Sequence, residues 1–284
     1  MLRSWKLGRA FGIPLFVHPS FLLIILWVAF QTRGMGVFIA LFELTLVLSV
    51  FSCVVLHELG HALMARRFGI RTLDITLYPI GGVARLARLT ERPVEELCIA
   101  LAGPAVNVVI AILLTPLLFF GLFSGVPLIT VDKLTAADGI QAILFAFMFC
   151  VWVSNIVLVL SNLIPAFPMD GGRVLRALLA NWLGRVVATD VAARLGLVLA
   201  VMLGCFALLR GDPALFLISI FVAFVGHQER LMIRYYEAQR RAAAASEPVV
   251  SATRGFSGVA WDGRYRVWVR WVDGRPVGYY SPTE

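Results

Sequence analysis

Along most of this chain apolar residues do not alternate with polar ones but run on in blocks. Six blocks, at 15–31, 36–64, 95–122, 139–165, 188–209 and 213–233, are near or above the length that crosses the hydrocarbon of a bilayer. The pattern predicts six transmembrane helices. Between the second and third blocks the period drops to two, over 71–78 and 83–89, on either side of Pro-Ile-Gly-Gly at 79–82. That predicts a β-hairpin beside the membrane. After the last block an Arg/Ala-rich segment (238–246) leads into a tail with Asp-Gly pairs at 262–263 and 273–274, which read as tight turns. Strands between them, such as 265–272, predict a three-stranded meander. A meander that small needs a surface to dock on, either the membrane face or another chain, in a second copy or a regulatory partner. The expected fold class is membrane all-α: six transmembrane helices, a membrane-associated hairpin between the second and third, and a small C-terminal β-meander. The expected division is a polytopic membrane domain over 1–235 and a cytoplasmic linker and β-rich tail over 236–284.

Composition supports the membrane reading: with 60% hydrophobic and 15% charged residues, there is too little polar surface to cover a soluble globule of 284 residues. The net charge of +8 suggests nucleic acid at first sight. The distribution of the basic residues argues against that partner. With the N-terminus inside, the inner segments hold 22 of the 25 Lys and Arg, and only Arg33, Lys133 and Arg210 fall outside. This is the positive-inside pattern, and it places both termini in the cytoplasm of a multi-pass cell-membrane protein. The basic N-terminus runs into its apolar block without a small-residue cleavage site, so no secreted form is expected. Cys53, Cys98, Cys150 and Cys205 each lie in an apolar stretch without metal or redox spacing, and read as buried apolar residues.

The chemistry gathers at the inner end of the second block, in His-Glu-Leu-Gly-His at 57–61. On a helix His57 and His61 are one turn apart on one face, so both imidazoles can reach one metal ion while Glu58 flanks it. Two imidazoles and a carboxylate suit zinc and leave a fourth position for water, whose proton a neighbouring Glu can take. Packed core histidines are the blander explanation, but they leave Glu58 unaccounted for within a span, where an ionisable group costs about 2.5–3.5 kcal/mol. A third ligand must come from another element at the same depth. Asp132 and Asp138 fall in an outer loop, Glu95 and Glu96 suit the first turn of the third span, and Glu43 is about 20 Å up the same helix from His57. Asp170 follows the fourth span on the inner side. There Pro165 and Pro168 break the helix, which is tolerated at membrane depth only where backbone is buried or lines a wet cavity. An ordinary interfacial turn is the alternative for this segment.

His-Glu-Leu-Gly-His at 57–61 followed by Asn-Leu-Ile-Pro-Ala-Phe-Pro-Met-Asp-Gly-Gly at 162–172 resembles the site-2 protease family of intramembrane zinc metalloproteases, in its bacterial and archaeal branch. Segments 12–21, 78–84 and 102–107 add to the resemblance, which covers roughly residues 8–235. It implies zinc held by His57, His61 and Asp170, with Glu58 as general base and Asn162 holding substrate or the developing oxyanion. Gly81 and Gly82 match the glycines of the family's membrane-dipping hairpin and would bind substrate. It also implies peptide-bond hydrolysis in single-span membrane proteins, such as anti-sigma factors or membrane-tethered regulators. Met169 stands where Leu is common, a conservative swap. The tail is too short for the paired nucleotide-sensing modules of many relatives, so that form of regulation is not expected.

Two rival functions use the same residues: a zinc-binding membrane module that holds substrate without cutting, and a metal-ion transporter. Glu58 argues against the first, since a structural metal site needs no spare base. Neither an internal repeat nor a midplane site supports the second. His18 is a polar anchor beside Pro19 or a gating residue, and His227 reads as interfacial. Asn107 and Asn155 either bond between helices or line the cavity. Glu43, on roughly the same helical face as His57, marks a wet vestibule or a polar helix contact.

Overall fold

The computed structural model describes residues 4–126 except 80, 89 and 91, then 134–135, 138–246, 257–262, 267–273 and 275–280. It is mostly helical and divides into two compact units, Met1–Glu229 and Arg230–Glu284. Five helices among the described residues are long and apolar enough to cross a membrane: Val37–Arg67 (α2), Pro93–Phe123 (α3), Ile140–Asn162 (α4), Arg185–Arg210 (α6) and Leu215–Met232 within Pro213–Ser246 (α7). Their outer faces are apolar, with Phe123 and Leu209 each more than three-quarters exposed. Such surface needs lipid to cover it.

The segment expected as a first helical span, 15–31, differs. Trp5–Ala10 (β1) and Ile13–Val17 (β2) form an antiparallel hairpin, and only then come a 3-10 turn at Pro19–Phe21 and a short helix, Leu22–Gln31 (α1). The 13 helical residues of Pro19–Gln31 reach about 20 Å, short of the roughly 30 Å of a bilayer core. Pro14 and Pro19 keep the stretch before them out of the helix, and β2 pairs instead with β1 and, in parallel, with the strand Thr72–Tyr78. A run of Ile, Leu, Phe and Val does not distinguish strand from helix by periodicity, which is why the block read as one span.

Thr72–Tyr78 (β3) and Gly81–Leu86 (β4) form a hairpin between α2 and α3, in a four-stranded sheet of order β1-β2-β3-β4. Ile75, fully buried, packs with Ile13 against Leu59 and Ala62 of α2, so the sheet lies beside the helix turn that carries the His-Glu-Leu-Gly-His motif. After α4 the chain turns sharply and forms an amphipathic helix not foreseen in the sequence, Asp170–Leu183 (α5), before α6. Gly171 and Gly172 in its first turn permit that turn: a Cβ on Gly172 would lie 2.6 Å from Phe167 N, and one on Gly171 would overlap the Leu163 and Ile164 carbonyls.

In the second unit Gly258–Asp262 (β5), Val267–Val272 (β6) and Arg275–Tyr280 (β7) form an antiparallel meander. Asp273 takes the positive φ expected of a tight turn, while the glycines of both Asp-Gly pairs lie outside the described residues.

Candidate metal centre

Two helices converge on one point. His57 and His61 project one helical turn apart from α2, and Asp170 opens α5. His57 Nε2, His61 Nε2 and Asp170 Oδ2 are mutually 3.1 Å apart, and all three residues are buried. Burial works against a charge on the Asp170 carboxyl. The Arg173 guanidinium, 3.8 Å away, favours that charge.

The hydrogen bonds behind the rings decide what these atoms are. His61 Nδ1 lies 2.7 Å from the Ile99 carbonyl, which can only accept, so Nδ1 carries the proton. For His57 a chain of amides gives the same result. The Val151 carbonyl accepts from Asn155 Nδ2 (2.9 Å), Asn155 Oδ1 accepts from Asn107 Nδ2 (2.8 Å), and Asn107 Oδ1 therefore accepts from His57 Nδ1 (2.6 Å). In the neutral imidazoles both Nε2 atoms then carry lone pairs, aimed at each other and at a carboxylate oxygen. Protonating both would only set two N–H groups against each other at 3.1 Å. A cation resolves this. The spacing is close to the roughly 3.3 Å edge of a tetrahedron with metal–ligand bonds of about 2 Å, and hydrogen-bonding the far nitrogen to a carbonyl or amide oxygen is how ligating histidines are oriented. The residues thus fit zinc.

Asn107 and Asn155, both fully buried, are the residues whose role the sequence left open. Replacing Asn107 with Leu is expected to lower metal affinity 10- to 100-fold while the helices stay folded, measured by competition with a chromophoric chelator.

Glycines set the clearances. A Cβ on Gly103 of α3 would overlap His61 Nε2 and Cε1 and come within 2.7 Å of His57 Nε2. One on Gly60 would meet the Ala102 carbonyl at 2.6 Å, so α2 and α3 approach closely at the metal site. A Cβ on Gly82 of β4 would lie 2.6 Å from Glu58 Cγ, which places the hairpin directly on the candidate base. Gly81 precedes it with φ of +138°, a backbone state that favours glycine. Glu58 is within Coulombic reach of His57, His61, Asp170 and Arg173.

The other singled-out residues make contacts of their own. Asn162 is the last residue of α4, and its Nδ2 donates 2.9 Å to Leu158 O in its own helix. His18 caps the 3-10 turn through Ser20 and stacks on Tyr78 of the hairpin, 5.0 Å between ring centres. Glu96 is not a simple first-turn carboxylate: it is buried and paired with Arg176 of α5.

A family model for peptidase family M50 matches residues 45–129 and 123–203, which include both motifs. The chain belongs to peptidase family M50. A zinc metalloprotease of Methanocaldococcus jannaschii is 35% identical over 233 residues, 81% of this chain and 61% of that protein. The stage IV sporulation protein FB of Bacillus subtilis is 27% identical over 197 residues, 69% of this chain and 58% of that one. The chain thus spans about three-fifths of the length of these relatives. Among solved structures, the site-2 protease from Methanocaldococcus jannaschii superposes with a TM-score of 0.56 at 34% identity, covering 80% of this chain and 95% of that one. Five long apolar helices and membership of M50 together make the protein an integral membrane protein.

Proposed function

We propose that this M50 member is an intramembrane zinc endopeptidase with His57, His61 and Asp170 as metal ligands and Glu58 as general base. The observation that carries the reading is the meeting of two histidine lone pairs and a carboxylate oxygen at 3.1 Å, with Glu58 one residue along the same helix. Bound there, zinc supplies a Lewis acid that lowers the pKa of water and polarises a carbonyl. Glu58 accepts the proton of the attacking water and delivers it to the leaving amine. Asn162 exchanges its bond to Leu158 for the developing oxyanion or for substrate.

Substrate enters as an extended segment. A transmembrane helix hides its carbonyls in its own hydrogen bonds and must unwind before attack. β4 is an edge strand of the sheet, and its Gly82 abuts Glu58, so a strand added along β4 would run past the base. The substrates we propose are single-span membrane proteins, with anti-sigma factors and membrane-tethered regulators as the class.

The topology we propose retains six passes. Ile13 packs at the level of Leu59 and Phe21 stacks edge-on against Phe51 at 4.8 Å, so 13–31 runs back along α2 before Val37 begins it. Strand β2 and helix α1 together make the first pass. Both termini and the metal site then face the cytoplasm, in keeping with the Lys and Arg distribution.

Zinc content by elemental analysis, paired with cleavage of a reconstituted substrate, tests the assignment. Wild type and Glu58→Gln are expected to hold one zinc each, with cleavage lost in Glu58→Gln; Asp170→Ala is expected to lose both. Full zinc retention in Asp170→Ala would remove Asp170 from the ligand set.

A further inference from the structure

Apart from the metal centre, one cavity combines charge with an unsatisfied buried group. It has a volume of about 300 Å³ and lies where the β1–β2 turn, the C-terminal end of α2 and the start of β3 meet. Phe11, Ile13 and Ile70 give it an apolar side, and Arg66 and Arg71 a cationic one; among the described residues no acidic one lines it. Arg66 Nη1 donates 3.2 Å to the Phe11 carbonyl, which fixes this guanidinium at the rim. Thr72, also in the lining, is 8% exposed, and its Oγ1 is a buried hydroxyl without a hydrogen-bond partner among the described residues. Buried hydroxyls are nearly always satisfied.

We propose that this cavity binds the phosphate of an anionic phospholipid. Turned towards the cavity about χ1, the Thr72 hydroxyl donates to a phosphate oxygen and gains the partner it lacks, while Arg66 and Arg71 neutralise the charge, in the bidentate manner guanidinium allows. A lipid rather than free phosphate is the occupant because Arg66 and Arg67 end a membrane-crossing helix, which sets the cavity at headgroup level. Its Phe11, Ile13 and Ile70 side suits the glycerol and upper acyl region. Basic pockets at the ends of membrane helices recognise headgroups in this way. The lipid would join β1–β2 and β3 to the helix bearing His57 and His61.

The test uses the full-length purified protein in detergent, with its thermal midpoint followed against dihexanoyl phosphatidylglycerol, dihexanoyl phosphatidylcholine and inorganic phosphate. Phosphatidylglycerol is expected to raise the wild-type midpoint saturably, and the other two at equal concentration to leave it unchanged. Thr72→Val is expected to have an unchanged or higher lipid-free midpoint, because the orphan hydroxyl is gone. Its apparent affinity for phosphatidylglycerol should fall about tenfold, the equivalent of one charge-assisted hydrogen bond. Arg66→Gln with Arg71→Gln is expected to abolish the saturable shift. Equal shifts with phosphatidylcholine, saturation by inorganic phosphate alone, or undiminished affinity in Thr72→Val would each overturn the proposal.

Discussion

Gly103→Ala is expected to abolish zinc binding and cleavage although neither motif is touched. The added methyl would occupy the space of His61 Nε2 and Cε1 and lie 2.7 Å from His57 Nε2. Neither ring can retreat, because the Ile99 carbonyl and the Asn107 amide hold their far nitrogens at 2.7 and 2.6 Å. Backbone relief is blocked one turn away, where Gly60 already brings α2 against the Ala102 carbonyl. The helices must therefore part or a ring must leave its hydrogen bond, and either movement spoils a site that tolerates displacements of only about 0.5 Å. Elemental analysis of the purified variant should show zinc near zero, with activity lowered at least 100-fold. A variant that keeps stoichiometric zinc and near wild-type turnover would show that α2 and α3 can separate freely, and the close-packed picture of the site would fail. Gly82→Ala separates the two kinds of clearance: its methyl meets the flexible stem of Glu58 rather than a ligand, so zinc should remain while turnover falls.

How much of this was legible in the sequence follows from which interactions are local. His57, Glu58 and His61 share one helix turn, so their common face follows from 3.6-residue periodicity alone. The β3–β4 hairpin was equally local, with two alternating runs and a Pro-Ile-Gly-Gly between them. Asp170 stood out as an acid in a proline-rich break, but that it meets His57 across 113 positions is a tertiary fact. The amide relay through Asn107 and Asn155 was illegible for the same reason: its order is set by a single carbonyl on α4. The first apolar block misled because a fully apolar run carries no period. Pro14 just before it and Pro19 within it were the available signal that the helix begins late. Helix α5 was missed because charged residues interrupt its apolar positions and its length is too short to cross a membrane. Its amphipathic pattern, with Arg173 and Arg176 among leucines and alanines, was nonetheless present.

Arg176→Ala is expected to be the most destabilising single change outside the metal site. Arg176, 2% exposed, donates through Nε to Glu96 Oε1 at 2.8 Å, joining the middle of α5 to the first turns of α3. Its guanidinium also lies 5.0 Å over the ring of Phe167, in the turn that leads to Asp170. Arg185 approaches the other Glu96 oxygen at 3.9 Å. Truncation leaves the Glu96 carboxylate buried with only that longer contact, and removing one partner of a buried pair costs about 3–5 kcal/mol. The same cut releases Phe167 and with it the turn that presents Asp170. The thermal midpoint in detergent should fall by many degrees, and zinc affinity should fall with it. Two variants distinguish loss of charge from loss of positioning. Arg176→Lys keeps a cation but cannot reproduce the fork, and is expected to recover part of the stability. Glu96→Gln with Arg176→Met removes both charges at nearly constant volume, and is expected to be more stable than Arg176→Ala alone. If that double variant also binds zinc as tightly as wild type, the pair serves only to hold α5 against α3, and apolar packing can replace it. If stability returns but zinc affinity does not, the fork itself sets the position of Asp170, and the ion pair belongs to the metal site's support.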